Sequence, residues 1–389
     1  MGMHNLDDSS TQNGKVEDST RANWMRVDLL ALENNFKIVR SLLPKKVRIH
    51  ASVKSAAYGL DIGRVARRFV ELGAEAISCG SFDDARTIRE TGLLDIDMVM
   101  FGGTLPAGIA TILRSNIMPT VHNIELAEAV AAVKGGPWRV YIKVDCGWGR
   151  LGFPLRTAKE TILQIAKKKN IAIEGIYTHL PFTNANGAVW AQQRTNMFDE
   201  FIADLRRSGL EVPVTQARSS SGVLFGLTDE CNAVAPGSIL YGKPSLEEGT
   251  VDFSNFRSVL ASVHSRLIHV SNHAADKTLG YEARFAHAVQ STTGVIPFGR
   301  KDGGRMPQPG QDAYMIVNGA KAPILSVSSE QTVLDLSNVP DPVAGDEVLI
   351  VGERNGLRID LSDLARWQGT GMNDVLLMMR ERMPQHVIG

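Results

Sequence analysis

Three observations in this 389-residue chain predict an α/β fold: an eight-stranded (β/α)8 TIM barrel followed by a mainly β C-terminal domain. Eight short apolar runs, many with β-branched residues, recur between Val47 and Ala235, most of them separated by stretches with helical spacing. Several of these runs are apolar on both faces, which suits a parallel sheet covered by helices. Near Thr250 the helical patterns give way to alternating segments.

In chain order, the first 24 residues are polar and rich in Ser, Asp, Asn and Thr. They lack the apolar core of a secretory signal and read as an N-terminal arm. A helix follows from Leu29 to Leu43, its apolar face formed by Leu29, Leu32, Phe36, Val39 and Leu43. Asp28 can cap its start and Pro44 ends it. Strands are expected at Val47–Val53, Ala76–Gly80, Asp97–Phe101, Met118–Val121, Trp138–Val144, Ile173–Thr178, Val212–Ala217 and Asn232–Ala235. Helices are expected at Ile62–Leu72, Phe82–Glu90, Ile124–Val133, Ala158–Lys168 and Ala188–Arg207. A doubly wound open sheet would want a glycine-rich fingerprint after its first strand, and Ser55-Ala56-Ala57-Tyr58 is not one. The barrel is expected over residues 25–250 and the β domain over 251–389. In the latter, alternation marks Val259–Val270, Thr292–Phe298, Tyr314–Val317, Ala322–Val327, Thr332–Leu336 and Glu347–Val351. Asn318-Gly319 is a type I′ hairpin signal between two of them.

Composition narrows the function. With 43% apolar residues the chain can bury a large core, and 42 basic residues balance 42 acidic ones. That balance gives no electrostatic case for nucleic acid or an anionic membrane surface as partner. No run approaches the ~20 apolar residues of a membrane span. Cys79, Cys146 and Cys231 form no CxxC or Cys/His cluster, so neither a disulfide frame nor a metal site is expected. A reduced, cytoplasmic protein is the expectation.

In a barrel, reactive groups collect at the C-terminal ends of the strands. Here those positions hold Lys54, then Asp145 and Arg150, then His179, the run Arg218-Ser219-Ser220-Ser221-Gly222, and Ala235-Pro236-Gly237-Ser238. Small residues after strands seven and eight let backbone N–H groups approach a phosphate. A lysine that can lose its proton in a partly buried site can form a Schiff base. Each feature alone has a plain reading: a surface lysine, an ordinary loop, a core histidine, an arginine paired with Asp145. Together they point to a phosphate-bearing carbonyl cofactor.

Over about Trp24 to Pro384 the sequence resembles the alanine racemases, pyridoxal 5′-phosphate (PLP) enzymes with a barrel and a β domain. Val53-Lys54-Ser55-Ala56-Ala57-Tyr58-Gly59 is similar to the cofactor-lysine motif. Lys143-Val144-Asp145-Cys146-Gly147-Trp148-Gly149-Arg150 is similar to the arginine loop. Thr178-His179, Pro236-Gly237-Ser238-Ile239-Leu240-Tyr241-Gly242 and Leu279-Gly280-Tyr281 resemble three further segments in the same order. The resemblance implies an isomerase, a PLP-dependent amino-acid racemase or epimerase using two bases. Lys54 would carry PLP and act on one face of the substrate α-carbon, and Tyr281 on the other. In the family that tyrosine comes from the partner subunit, which implies a homodimer with shared sites. Tyr58, Ser220, Gly237 and Ser238 would hold the phosphate, Ser219 would also belong to the cofactor site, and His179 would pack on the cofactor ring. Arg150 would contact the cofactor and the substrate carboxylate region. Lys143 matches a lysine that is carbamylated in some members. The chemistry is consistent: inversion needs a proton removed on one side and delivered on the other, and PLP supplies the electron sink.

The sequence also departs from the family pattern. The arginine expected before Pro236-Gly237, facing the pyridine nitrogen, is Ala235, and its supporting histidine matches Gln216. Arg218 is a candidate replacement for that arginine. In the β domain the gate segment reads Gly299-Arg300-Lys301-Asp302-Gly303. The methionine at the substrate carboxylate matches Ser329, its neighbouring aspartate Glu330, and a gate tyrosine Asn373. These changes imply a substrate larger or more polar than alanine. The alternative is another PLP-dependent reaction at the α-carbon: a lyase, aldolase or amino transfer. A non-catalytic PLP carrier is a third reading, against which the second domain counts.

Overall fold

Eight parallel strands close into a ring in the computed structural model, which describes residues 22–275, 290–380 and 382–389 and the backbone of 278–279 and 285–286. The contacts divide the chain into two units. One holds residues 28–260 with Gly389, and the other holds the described residues up to Val27 with 261–388.

The first unit opens with the helix Leu29–Ser41. Asp28 accepts from the Leu30 and Ala31 N–H groups at 2.8 and 3.0 Å, the predicted cap. Its buried Asn35 donates to the Leu240 and Arg257 carbonyls at 3.2 and 2.7 Å and accepts from the Arg257 N–H at 2.9 Å. One side chain thus ties this helix to the loop that follows the eighth strand.

The barrel strands, in ring order, are Met118–Val121, Met98–Met100, Ala76–Cys79, Arg48–Ser52, Ala233–Ala235, Val214–Ser219, Ile171–Tyr177 and Trp138–Asp145. Pairing of Thr120 with Tyr141 and Val121 with Ile142 completes the ring on one side. On the other, Arg48 pairs with Ala233 and Ile49 with Val234, so the first and eighth strands are neighbours. Val99, Met118, Tyr141, Tyr177, Val214 and Ala233 pack together inside the ring. A larger core, with Ile142, Val144, Ile176, Phe198 and Leu205, lies between the strands and the covering helices. Those helices include Ile62–Glu71, Phe82–Glu90, Ile124–Ala132, Ala158–Ala166 and Ala185–Arg207, as the spacing predicts to within a few residues. The six-residue helices Ile109–Arg114 and Ser220–Phe225 complete the set; they are too short to leave a periodic signal.

In the second unit a ten-stranded sheet runs through His269–His273, Ser291–Ile296, Thr332–Asp335, Ala320–Val327, Tyr314–Val317, Glu347–Arg354, Leu260–Arg266, Trp24–Asp28 and Gln385–Ile388, with Leu357–Ile359 paired to Glu347–Arg354. Asn318 and Gly319 both have positive φ, 48° and 78°, as a type I′ turn requires. The alternating stretch from Val259 to Val270 divides into two strands, broken at Leu267 and Ile268. Helices Leu361–Gln368 and Met372–Arg380 belong to this unit and were not expected from the alternating pattern.

Candidate active site

After the first barrel strand the chain makes a turn of unusual hand. Ser55, Ala56, Ala57 and Tyr58 all have φ between 50° and 56°, a left-handed turn built from four residues with side chains. Such residues avoid this region because Cβ crowds the following carbonyl, at ~1–2 kcal/mol each. Surrounding bonds hold the turn. The Val53 N–H donates to the Ser78 carbonyl at 2.8 Å, the Ala57 N–H to the Val53 carbonyl at 2.8 Å, and the Ala56 N–H to Asp84 Oδ1 at 3.1 Å. The turn sets Lys54 Nζ 5.7 Å from the Tyr58 ring centroid. Lys54 is exposed at its position, yet the protein around it lowers its pKa, and the Arg150 charge lowers it further.

Tyr58 is buried, and its hydroxyl bonds with Ser52 at the end of the first strand and with the Ser238 N–H in the loop after the eighth; burial raises its pKa. A Cβ added at Gly237 would lie 2.1 Å from the Tyr58 oxygen, so only glycine permits this approach. The Gly237 N–H in turn donates to Ser220 Oγ at 2.9 Å. Ser219 stands in register with Ala235 and precedes the short helix that Ser220 begins. Tyr58, Ser220, Gly237 and Ser238 therefore converge as one hydrogen-bonded set of neutral polar groups at the strand ends. On this geometry the residues present fit PLP: a lysine of lowered pKa for its carbonyl end and a cradle for its phosphate.

The arginine loop is organised by Asp145. Its carboxylate accepts from the N–H groups of Gly147, Trp148 and Gly149 at 2.9 to 3.2 Å. Arg150 is thus not the partner of Asp145; its guanidinium stacks on Trp148, 3.5 Å from the ring centroid. The buried Lys143 donates to the Arg150 carbonyl at 2.9 Å, and burial with the Arg150 charge brings its pKa down to about 8. His179 lies 4.8 Å from Trp148 between ring centroids. Burial, with Lys54, Lys143 and Arg150 nearby, holds its pKa down at about 3, so its imidazole is neutral near pH 7. Three cationic side chains, Lys54, Lys143 and Arg150, thus lie close enough to His179 to act on it.

Other expected residues are placed as follows. Arg218 makes a two-contact ion pair with the buried Asp229, at 3.0 and 2.9 Å, so its guanidinium is engaged there rather than offered to a ligand. Gln216 is buried on the barrel interior, in register with Tyr177 and Ala233, and its Oε1 has no hydrogen-bond partner among the described residues. In the second unit, Gly299 and Asp302 bracket a tight turn whose Arg300 and Lys301 N–H groups donate to the Ser328 and Ser329 carbonyls at 2.9 and 3.1 Å. Arg382 pairs with Glu330 at 2.7 Å beside this turn. Arg300, Ser329, Glu330 and Asn373 are exposed. Tyr281 lies outside the described residues. Trp148, Ser52 and Lys243 join the site without having been singled out in the sequence. The glycines flanking Trp148 were the only sign of it; nothing local marked the other two.

No helix among the described residues is long and apolar enough to cross a membrane. Residues 27–244 match the family model for the alanine racemase N-terminal domain, and residues 260–387 the model for its C-terminal domain. The alanine racemase of Methanococcus maripaludis is 27% identical over 93% of this chain and 97% of its own length. That of Halothermothrix orenii is 28% identical, over 94% and 97%. Among solved structures, alanine racemase from Clostridium difficile superposes with a TM-score of 0.87 at 20% identity, over 95% of this chain and 97% of that one. The Bacillus anthracis enzyme with bound L-Ala-P superposes with a TM-score of 0.85 at 23% identity, over 96% of each. With both domain models matched across nearly the whole described chain, this protein belongs to the alanine racemase family and is a PLP-dependent amino-acid racemase.

Proposed function

We propose that the chain is a two-base racemase, working in the cytoplasm as a homodimer, on an amino acid larger or more polar than alanine. The observation that carries the reading is Lys54: an amine of lowered pKa at a barrel strand end, beside Tyr58 and within the field of Arg150. PLP, when bound, supplies the electron sink that makes the substrate α-proton acidic. Lys54 Nζ takes or returns that proton on one face. Tyr281 does the same on the other, and its phenol needs a pKa brought down from about 10. Tyr58, Ser220, Gly237 and Ser238 would fix the phosphate end, with Ser219 next to them in the chain. Arg150, stacked on Trp148, would contact the cofactor and the substrate carboxylate region, and the neutral His179 would pack on the cofactor ring without adding a charge. By the family resemblance Ser329 would meet the substrate carboxylate, and Arg300 and Asn373 would make the entry polar and basic, which supports a polar or anionic substrate.

A second reading rests on Ala235 and on the engagement of Arg218 by Asp229. Without an arginine at the pyridine nitrogen, charge can spread further into the cofactor ring, which favours lyase, aldolase or amino-transfer chemistry. Incubation with amino acids in deuterated water separates the two. The racemase reading expects α-deuteration with inversion and an intact carbon skeleton; cleavage products or keto acids in its place favour the second. Comparing turnover of alanine with acidic and polar amino acids tests the substrate, and a clear preference for alanine refutes the larger-substrate reading. Sharing of sites is tested by mixing inactive K54A and Y281F proteins under subunit exchange. Random reassortment restores roughly a quarter of the sites if each site draws on both subunits, and no recovery contradicts it.

A further inference from the structure

Near the Tyr58 ring the chain places another lysine, and this one is buried. Lys243 is 7% exposed, and its Nζ lies 5.8 Å from the Tyr58 ring centroid, almost the distance of Lys54 from the same ring. Its backbone is tied to the cradle as well. The Lys243 N–H donates to the Ser238 carbonyl at 3.0 Å, and the Tyr241 hydroxyl to the Ser52 carbonyl at 3.0 Å. Gly242 makes the bend between them at φ 68°, where a Cβ would meet the Arg257 carbonyl oxygen at 1.8 Å. The loop from Gly237 to Lys243 is thus closed on itself, and the lysine backbone is tied to Ser238.

We propose that Lys243 is a phosphate-positioning residue, whose buried ammonium supplies the positive charge that the neutral donors at Tyr58, Ser220, Gly237 and Ser238 lack. The inference rests on the reading of those four residues as the phosphate cradle. An apolar side chain would fill this wall without the desolvation that an ammonium suffers there. Burial already pushes the Lys243 pKa down to about 8. A dianion against the cradle offsets that desolvation, and charge-assisted contacts to phosphate are roughly twice as strong as neutral ones. The two lysines near the Tyr58 ring then divide the cofactor between them: Lys54 serves its carbonyl end and Lys243 its phosphate end.

The experiment compares PLP with pyridoxal, which lacks the phosphate, on full-length protein stripped of cofactor. Affinity is read from the absorbance of the borohydride-reducible adduct at Lys54. In K243M the affinity for PLP is expected to fall about ten- to a hundredfold while that for pyridoxal changes by less than about threefold, and K243R to retain most of the preference for PLP. A parallel loss for both compounds makes Lys243 a structural wall residue, and an unchanged preference removes it from the phosphate site; either overturns the proposal. K243Q, polar and uncharged, carries the same comparison if K243M does not fold. The wild type separates the two levels of the argument. If it forms no adduct with PLP, the proposed function fails; if it does and the preference survives in K243M, only the role of Lys243 fails.

Discussion

Lys143 carries a proton balance that can be measured. It is 3% exposed, and its pKa in the folded chain is about 8, against about 10.4 when unfolded. Below pH 8 the lysine is charged in both states, and the penalty for burying that charge is present in full. Between about 8 and 10.4 the unfolded chain binds more protons, so stability rises with pH. The rise is on the order of 3 kcal/mol for this group, at 1.36 kcal/mol per pKa unit. Urea unfolding of the cofactor-free chain should therefore strengthen from pH 7 to pH 10, and K143M should show a visibly smaller rise. Equal pH dependence in both proteins contradicts the assignment. At this scale the sequence was most readable just beyond the ends of barrel strands, where Lys54 and His179 lie, and in the loop after Asp145 that carries Arg150. It was silent on Lys243, whose environment is made by Tyr58 and Ser238, and on Ser52, which acts through the Tyr58 hydroxyl. Such roles depend on side chains far apart in the chain and leave no local spacing to read.

Among the elements, the left-handed turn from Ser55 to Tyr58 is the one that local propensity opposes. No glycine or asparagine announces it, so it was not legible. Its handedness comes from the Ser78 carbonyl, Asp84 and the Tyr58 contacts rather than from its own residues. Ser55 is exposed and sits at φ 53°. S55G should relieve ~1–2 kcal/mol of strain, offset by the added freedom of glycine in the unfolded chain, ~0.5–1 kcal/mol. The expected result is a higher urea midpoint for the cofactor-free protein, and a lower one would mean that the turn is not strained at this position. The regular elements read more easily. Met118–Val121, Phe82–Glu90 and Tyr314–Val317 occur at the expected residues because their apolar spacing alone decides them. Strand Trp24–Asp28 does not, because it is stabilised by pairing with Leu260–Arg266 and Gln385–Ile388, more than 200 residues away.

At the scale of the molecule, eight apolar runs and a change of pattern near Thr250 sufficed for the architecture, since counting strands and reading their faces requires no knowledge of partners. The order of strands in the β unit was not accessible in the same way, because sheet neighbours there are chosen by long-range pairing. The barrel has a further property that follows from its ring. Lys54 leaves the first strand and the Gly237–Lys243 loop leaves the eighth, and these strands are joined by Arg48 with Ala233, Ile49 with Val234, and the Ser52 N–H on the Pro236 carbonyl at 3.0 Å. The seam is thus the last join of the barrel that a chain emerging from its N-terminus can make, and pairing at such separation is slow. A cofactor grasped from both sides of it becomes a timer of folding. During refolding with PLP, colour at Lys54 should lag the recovery of helical circular dichroism, and a chain ending before Ala233 should stay colourless. Once formed, the adduct should hold the whole ring shut, adding ~2.7 kcal/mol to global stability at a hundredfold excess over Kd. Early colour, or colour in the shortened chain, would show that the two ends of the barrel need not meet for the cofactor to be held.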